Sequence, residues 1–216
     1  MTLIIFDLDG TLIDSAADIA SSVNELREHF SCEPLPRAEI ESYVGNGIHT
    51  LIERALPSTP AARLPGTIER YRTIYRRRLL EQTRAYPGVT AALEELRNDT
   101  DCTLAVLTNK PIRESEMILN GLDLEKYFAA IFGGDSFERK KPDPMGVHKI
   151  LEATDSTPER ALFVGDSPVD LETAHNASMR SCLVSYGIDK RRHPEIEPDF
   201  VVDDLRELSA IVEGLA

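Results

Sequence analysis

The sequence predicts an α/β fold: a parallel sheet covered by helices on both faces, interrupted by one all-helical insertion. Three observations predict it. Short apolar runs recur along the 216 residues, each the length of a buried strand. Stretches of helical periodicity separate most of these runs, the alternation expected of a parallel sheet. Residues 15–84 hold no such run, only apolar residues at helical spacing with prolines between them.

The elements follow in order. Leu3–Phe6 is the first strand, and Asp7 stops it. In the insertion, Ile19, Val23, Leu26 and Phe30 mark one helical face. Ile48, Leu51, Ile52 and Ala55 mark a second, and Ile68, Tyr71, Tyr75 and Leu79 a third. Pro34, Pro36, Pro57, Pro60 and Pro65 punctuate the gaps. Beyond it, Val89, Leu93 and Leu96 predict a helix over residues 87–98, and Leu104–Leu107 a strand. A strand near Ile131–Gly133 precedes a helix carrying Val147, Ile150 and Leu151. Leu162–Val164, Ser181–Val184 and Phe200–Val202 complete the strands. Residues 1–14 and 85–216 therefore form a core, into which residues 15–84 are inserted.

Composition excludes several classes. Hydrophobic residues make up 42% and charged residues 28%, enough apolar material for a globular core. The net charge is −13 with no long Lys/Arg run, which argues against nucleic acid as a partner. Cys32, Cys102 and Cys182 are odd in number and far apart, so reduced thiols of a cytoplasmic protein are expected. His29, His49, His148, His175 and His193 do not cluster, so no zinc site is expected. The four residues Leu3–Phe6 are too few for a signal peptide or a membrane span. Monomer and homodimer both remain open.

Asp7-Leu8-Asp9-Gly10-Thr11-Leu12-Ile13-Asp14-Ser15 is the most informative segment. Two aspartates at i, i+2 after a strand point the same way while the backbone stays extended. Gly10 then permits a sharp turn. The carboxyl edge of such a sheet is where ligands bind. Two carboxylates aimed at one spot repel unless a cation or a shared proton holds them. An Asp-Gly turn alone would explain less: D-x-D-G-T arises by chance in only about one in a thousand chains of this length.

This segment resembles the first motif of the haloacid dehalogenase superfamily of phosphatases. The resemblance implies a Rossmann-like core and a nucleophilic Asp7, with Asp9 as general acid/base. Three further segments extend it. Thr108-Asn109 ends a strand, where a hydroxyl and backbone N–H groups can hold phosphate, although Thr-Asn is also ordinary in turns. Lys140-Lys141-Pro142 reads alone as a solvated turn; the resemblance makes Lys141 the cation that neutralises the phosphoryl group, and Lys141–Pro142 a candidate cis bond. Gly165-Asp166-Ser167-Pro168-Val169-Asp170 also fits a helix N-terminus. By resemblance, Asp166 ligates Mg²⁺ with the Asp7 carboxylate and the Asp9 carbonyl, while Asp170 acts through water or orients Lys141. Thr108 and Asn109 are the implied phosphate-binding pair.

The resemblance also makes the insertion a C1-type cap. Tyr43-Val44-Gly45-Asn46-Gly47-Ile48 precedes a helix and resembles the cap loop of phosphoglycolate phosphatases. It makes Gly45, Asn46 and Gly47 the specificity candidates and implies a small phosphate ester, 2-phosphoglycolate, as substrate. Arg70, Arg72, Arg76, Arg77 and Arg78 span more than one helical face, so most of them read as solvated. Ala177-Ser178 stands where family members often have Ala-Gly. A mutase or a phosphatase of sugar phosphates or pyrophosphate would share the chemistry. A receiver-like phospho-accepting domain would need neither Asp9 nor a helical lid.

Overall fold

The computed structural model describes residues 2–56, 66–98, 102–189, 191, 193 and 195–214. Pro57, Pro60 and Pro65 lie outside these residues. Six strands form one parallel sheet: β1 (Thr2–Phe6), β4 (Cys102–Leu107), β5 (Ala130–Phe132), β6 (Ala161–Gly165), β7 (Arg180–Val184) and β8 (Phe200–Val202), in the order β5-β4-β1-β6-β7-β8. The expected strands are all present, with ends one or two residues longer in most cases.

β1 is central, and its residues are buried on both faces. Leu3 and Ile5 pack with Val147 and Ile150 of α7 (Met145–Ala153) and Ala174 of α8 (Pro168–Asn176). Ile4 and Phe6 point the other way, into a larger core with Val89 and Leu93 of α5 (Val89–Asn98) and Ile118 of α6 (Ile112–Gly121). Leu208 and Val212 of α9 (Leu208–Glu213) join this second core. This period-two alternation is why the strands read as continuous apolar runs.

Between β1 and β4 lie α1 (Ala16–His29), α2 (Arg37–Glu41), α3 (Ile48–Ala55) and α4 (Thr67–Arg78). α2 was not evident from periodicity, because five residues make barely more than one turn. A short antiparallel ribbon joins β2 (Ile13–Asp14) to β3 (Arg84–Ala85), so the chain leaves the core and returns to it side by side. Two residues per strand are too few for a periodic signal.

Asp18 ties the exit to the return. Its buried carboxylate accepts hydrogen bonds from the Gln82 and Thr83 N–H groups and from Thr83 Oγ1, the last at 2.7 Å. Asp18→Ala leaves those donors without an acceptor, and the expected loss is about 3 kcal/mol. Urea denaturation would read it as a lower midpoint at an unchanged slope.

Ser178 ends α8 in the left-handed region, at φ 56°. The Ser178 and Met179 N–H groups still donate to the His175 and Ala174 carbonyls. The turn usual for Gly is thus made by Ser at a local conformational cost. Among the described residues no helix is long and apolar enough to cross a membrane.

Candidate active site

The site sits at the carboxyl edge of the sheet. Asp7 follows β1, and its N–H donates to Val164 of β6, which locks the strand end in register. Gly10, at φ 91°, turns the chain back, and its N–H donates to Ile13. Thr108 follows β4, where its N–H donates to Phe132. Asp166 follows β6, and the Lys141–Pro142 bond is cis.

Lys141 is the electrostatic centre. Its Nζ lies 2.7 Å from Asp7 Oδ1 and 2.6 Å from Asp170 Oδ1, and all three side chains are buried. Asp170 Oδ2 in turn accepts from the Ser167 hydroxyl at 2.6 Å and from the Asp166 and Ser167 N–H groups. Burial disfavours charge on Lys141, but Asp170 and Asp7 outweigh it and hold the ammonium protonated. Asp7 is pushed up to about 6, first by burial and also by Asp170, against the opposing pull of Lys141. Asp166 is raised further from the ordinary carboxylate range by burial and by Asp170 and Asp7.

This donor set fits a divalent cation. Asp7, Asp166 and Asp170 each offer an oxygen within 4.8 Å of the others'. Asp7 and Asp170 share Lys141, and no ion pair reaches Asp166 among the described residues, so the cluster is under-compensated, and a hard cation with oxygen ligands supplies the balance. Asp166 Oδ2 is already oriented by the Ile188 and Asp189 N–H groups, at 2.8 and 2.9 Å. Gly10 leaves room for it: a Cβ there would sit 2.1 Å from Asp166 Oδ2. Gly10→Ala therefore displaces the Asp166 carboxylate as well as straining the turn. The variant's apparent affinity for a divalent cation, read by calorimetric titration with Mg²⁺ as the probe, is expected to fall by about 10–100-fold.

Asp9 is held apart from Asp7. Both its oxygens accept from Lys110 Nζ, at 2.7 and 2.8 Å, and Oδ1 also accepts from the Ser15 hydroxyl. Lys110 lies over the Tyr75 ring, 4.8 Å from its centroid. Reasoning from the sequence missed Lys110 as a partner of Asp9. The available signal was a cation two residues beyond Thr108 on the next strand end.

Asn109 donates both amide hydrogens, to the Gly45 carbonyl at 2.9 Å and to the Lys141 carbonyl at 3.0 Å. Its amide thus links the helical segment to the turn that carries Lys141, rather than pointing free donors at a ligand. Asp7, Asp9, Thr108 and Asn109 line one cleft, whose opposite wall includes Gly45, Gly47 and Ile48. Asn46 is not in that lining; its carbonyl accepts from Lys140 Nζ. Of the arginine run, Arg72 reaches the cleft. Arg76 pairs with buried Glu114, while Arg77 and Arg78 pair with Glu25.

The phosphoglycolate phosphatase of Agrobacterium fabrum is 37% identical over 218 residues, covering 99% of this chain and 93% of the relative. That of Aquifex aeolicus is 36% identical over 99% of this chain and 98% of its own length. The crystal structure of a predicted phosphoglycolate phosphatase from Haemophilus somnus superposes with a TM-score of 0.88 at 28% identity, covering 98% of this chain and 97% of that one. A model of the haloacid dehalogenase-like hydrolases matches residues 4–184, from β1 through the last carboxylate of the cluster to the end of β7. An aspartate at each of two adjacent strand ends, a buried lysine between them and a matching family model over most of the chain lead to one assignment: this chain belongs to the haloacid dehalogenase-like hydrolase family.

Proposed function

We propose that the chain is a Mg²⁺-dependent phosphatase of small phosphate monoesters, acting on 2-phosphoglycolate. The observation that carries the chemistry is the buried Asp7 carboxylate, 2.7 Å from Lys141 Nζ beside two further carboxylates. Such a group is poised as a nucleophile once part of the surrounding negative charge is balanced. The names of the full-length relatives support the substrate.

Asp7 attacks phosphorus, and the bond from phosphorus to the ester oxygen breaks. The phosphoryl group is then held on Asp7 while Asp9 gives its proton to the departing glycolate oxygen. In the second half, water attacks the same phosphorus and Asp9 takes its proton. The bond to Asp7 breaks, inorganic phosphate leaves and both carboxyl groups return to their starting state. Lys141 neutralises charge on Asp7 and the phosphoryl oxygens, and the Thr108 hydroxyl and neighbouring N–H groups bind those oxygens. Asn109 acts on them through the Lys141 backbone. The Asp7 and Asp166 carboxylates with the Asp9 carbonyl would hold Mg²⁺, and Asp170 orients Lys141. Bound metal supplies charge neutralisation between nucleophile and phosphate.

Residues 15–84 serve as a cap that closes over the cleft and excludes water. The Asn109–Gly45 and Arg76–Glu114 contacts are its attachments on the closed side. A panel of 2-phosphoglycolate, a hexose phosphate and pyrophosphate with Mg²⁺ tests the reading. The expected outcome is a clear preference for 2-phosphoglycolate in kcat/KM. Strong hexose phosphate or pyrophosphate turnover with little 2-phosphoglycolate hydrolysis contradicts it.

A further inference from the structure

The cleft beyond Asp9 carries buried polar atoms that nothing among the described residues satisfies. Tyr75 is 4% exposed, and its hydroxyl has no hydrogen-bond partner among the described residues. Arg72 Nε is buried and likewise unpartnered. Among the described residues the Arg72 guanidinium pairs with Asp135 at 3.5 Å and Glu69 at 3.9 Å, both on exposed side chains. Tyr75 and Arg72 both belong to α4, and both line the cleft that contains Asp7 and Asp9. Across from them stands Lys110, whose ammonium touches Asp9 and lies over the Tyr75 ring.

Native proteins seldom leave buried donors without acceptors, and those left open at a cleft call for a ligand. Arg72 Nε is a donor only, Tyr75 can donate, and Lys110 has three N–H bonds of which Asp9 engages two. The complement to such a wall is an acceptor-only, negatively charged group. Glu114 lines the same cleft, with Oε1 bound to Arg76 at 2.7 Å and Oε2 a buried acceptor, but neither oxygen is hydrogen-bonded to Arg72 Nε or the Tyr75 hydroxyl.

We propose that Arg72 and Tyr75, with Lys110, form the subsite for the substrate's carboxylate, so that specificity is read from α4 as well as from the Gly45–Gly47 loop. The inference rests on the reading of the substrate as 2-phosphoglycolate. Its geometry follows from the ester itself. Asp9 serves the leaving oxygen, the carboxylate carbon is two bonds farther on, and Lys110 lies 2.7 Å from Asp9. A carboxylate in that position faces the cleft wall that carries all three donors, and a planar guanidinium suits it better than a point charge. Apolar neighbours, Ile48 and Leu51 among them, keep water from weakening the contact.

The test compares 2-phosphoglycolate with ethyl phosphate, which keeps the two-carbon skeleton and lacks the carboxylate. The readout is the ratio of their kcat/KM values in wild type, Arg72→Gln and Tyr75→Phe, with Mg²⁺ present. That ratio is expected to collapse by about 100-fold in Arg72→Gln and about 10-fold in Tyr75→Phe, chiefly through KM for 2-phosphoglycolate. Arg72→Lys is expected to restore part of it. Equal losses on both substrates mean a merely structural role and overturn the subsite. An unchanged ratio also overturns it, while leaving the substrate reading intact if wild type still prefers 2-phosphoglycolate. A wild-type protein that hydrolyses ethyl phosphate at least as well as 2-phosphoglycolate overturns the substrate reading itself, and the subsite with it.

Discussion

Replacing Asp7 with Asn is expected to lower turnover of 2-phosphoglycolate by at least about 10⁴-fold, the scale seen when a covalent nucleophile is removed. The substitution is nearly isosteric, so the loss isolates the chemistry. Lys141 keeps its 2.6 Å bond to Asp170, and its charge stays paired. One anion disappears from a buried site where burial first, and the neighbouring Asp170 charge after it, hold Asp7 at about 6. The metal-free variant should therefore unfold at a temperature equal to or above that of the parent. Steady-state assays and thermal unfolding on the same preparation check both halves. Activity within tenfold of the parent rules out the covalent route.

Lys141→Met has the second large effect, and it reaches stability as well as rate. Removing the ammonium leaves buried Asp7 and Asp170 without their shared cation, next to Asp166. Breaking one partner out of a buried ionic group costs about 3–5 kcal/mol. The loss should depend on pH in a defined direction. Asp7 and Asp166 already sit above the ordinary carboxylate range in the folded parent, mainly through burial. Without Lys141 they are raised further, so the folded state binds more protons than the unfolded one. Stability then falls as pH rises through the folded values and recovers as pH drops below them. Urea titrations at pH 5 and pH 8 should therefore show the variant's deficit larger at pH 8 and reduced by Mg²⁺. A pH-independent deficit that Mg²⁺ leaves untouched contradicts this account of the cluster. Catalysis should fall by about 10³-fold, because the developing phosphoryl charge loses its fixed partner.

What could be read from the sequence has a common physical cause. Asp7, Thr108 and Asp166 each follow a strand buried on both faces, and such strands announce themselves as unbroken apolar runs. The sheet edge then brings those strand ends together whatever the details of the loops. Lys141 is different: in sequence it follows no strand directly, lying in a turn well past the end of β5 at Phe132, and only its family motif distinguished it from Lys140. The contacts of Lys110 with Asp9, and of Asn109 with Gly45 and Lys141, arise from tertiary packing between distant segments. No periodicity encodes them. The arginine run illustrates the same limit. Composition alone described five similar charges, whereas the helix geometry sends Arg76, Arg77 and Arg78 to carboxylates and turns Arg72 toward the cleft. The short elements α2, β2 and β3 were illegible because two to five residues complete too little of a period.

The central claim is that Asp7 carries the phosphoryl group. The most direct test is the stereochemical course at phosphorus. A thiophosphate monoester made chiral with oxygen isotopes is hydrolysed in isotopically labelled water, and the configuration of the released thiophosphate is determined. Transfer to Asp7 followed by transfer to water is two in-line displacements, so the account predicts overall retention. Inversion would mean that water attacks the ester directly, with Asp7 serving only as a ligand or base, and would contradict it.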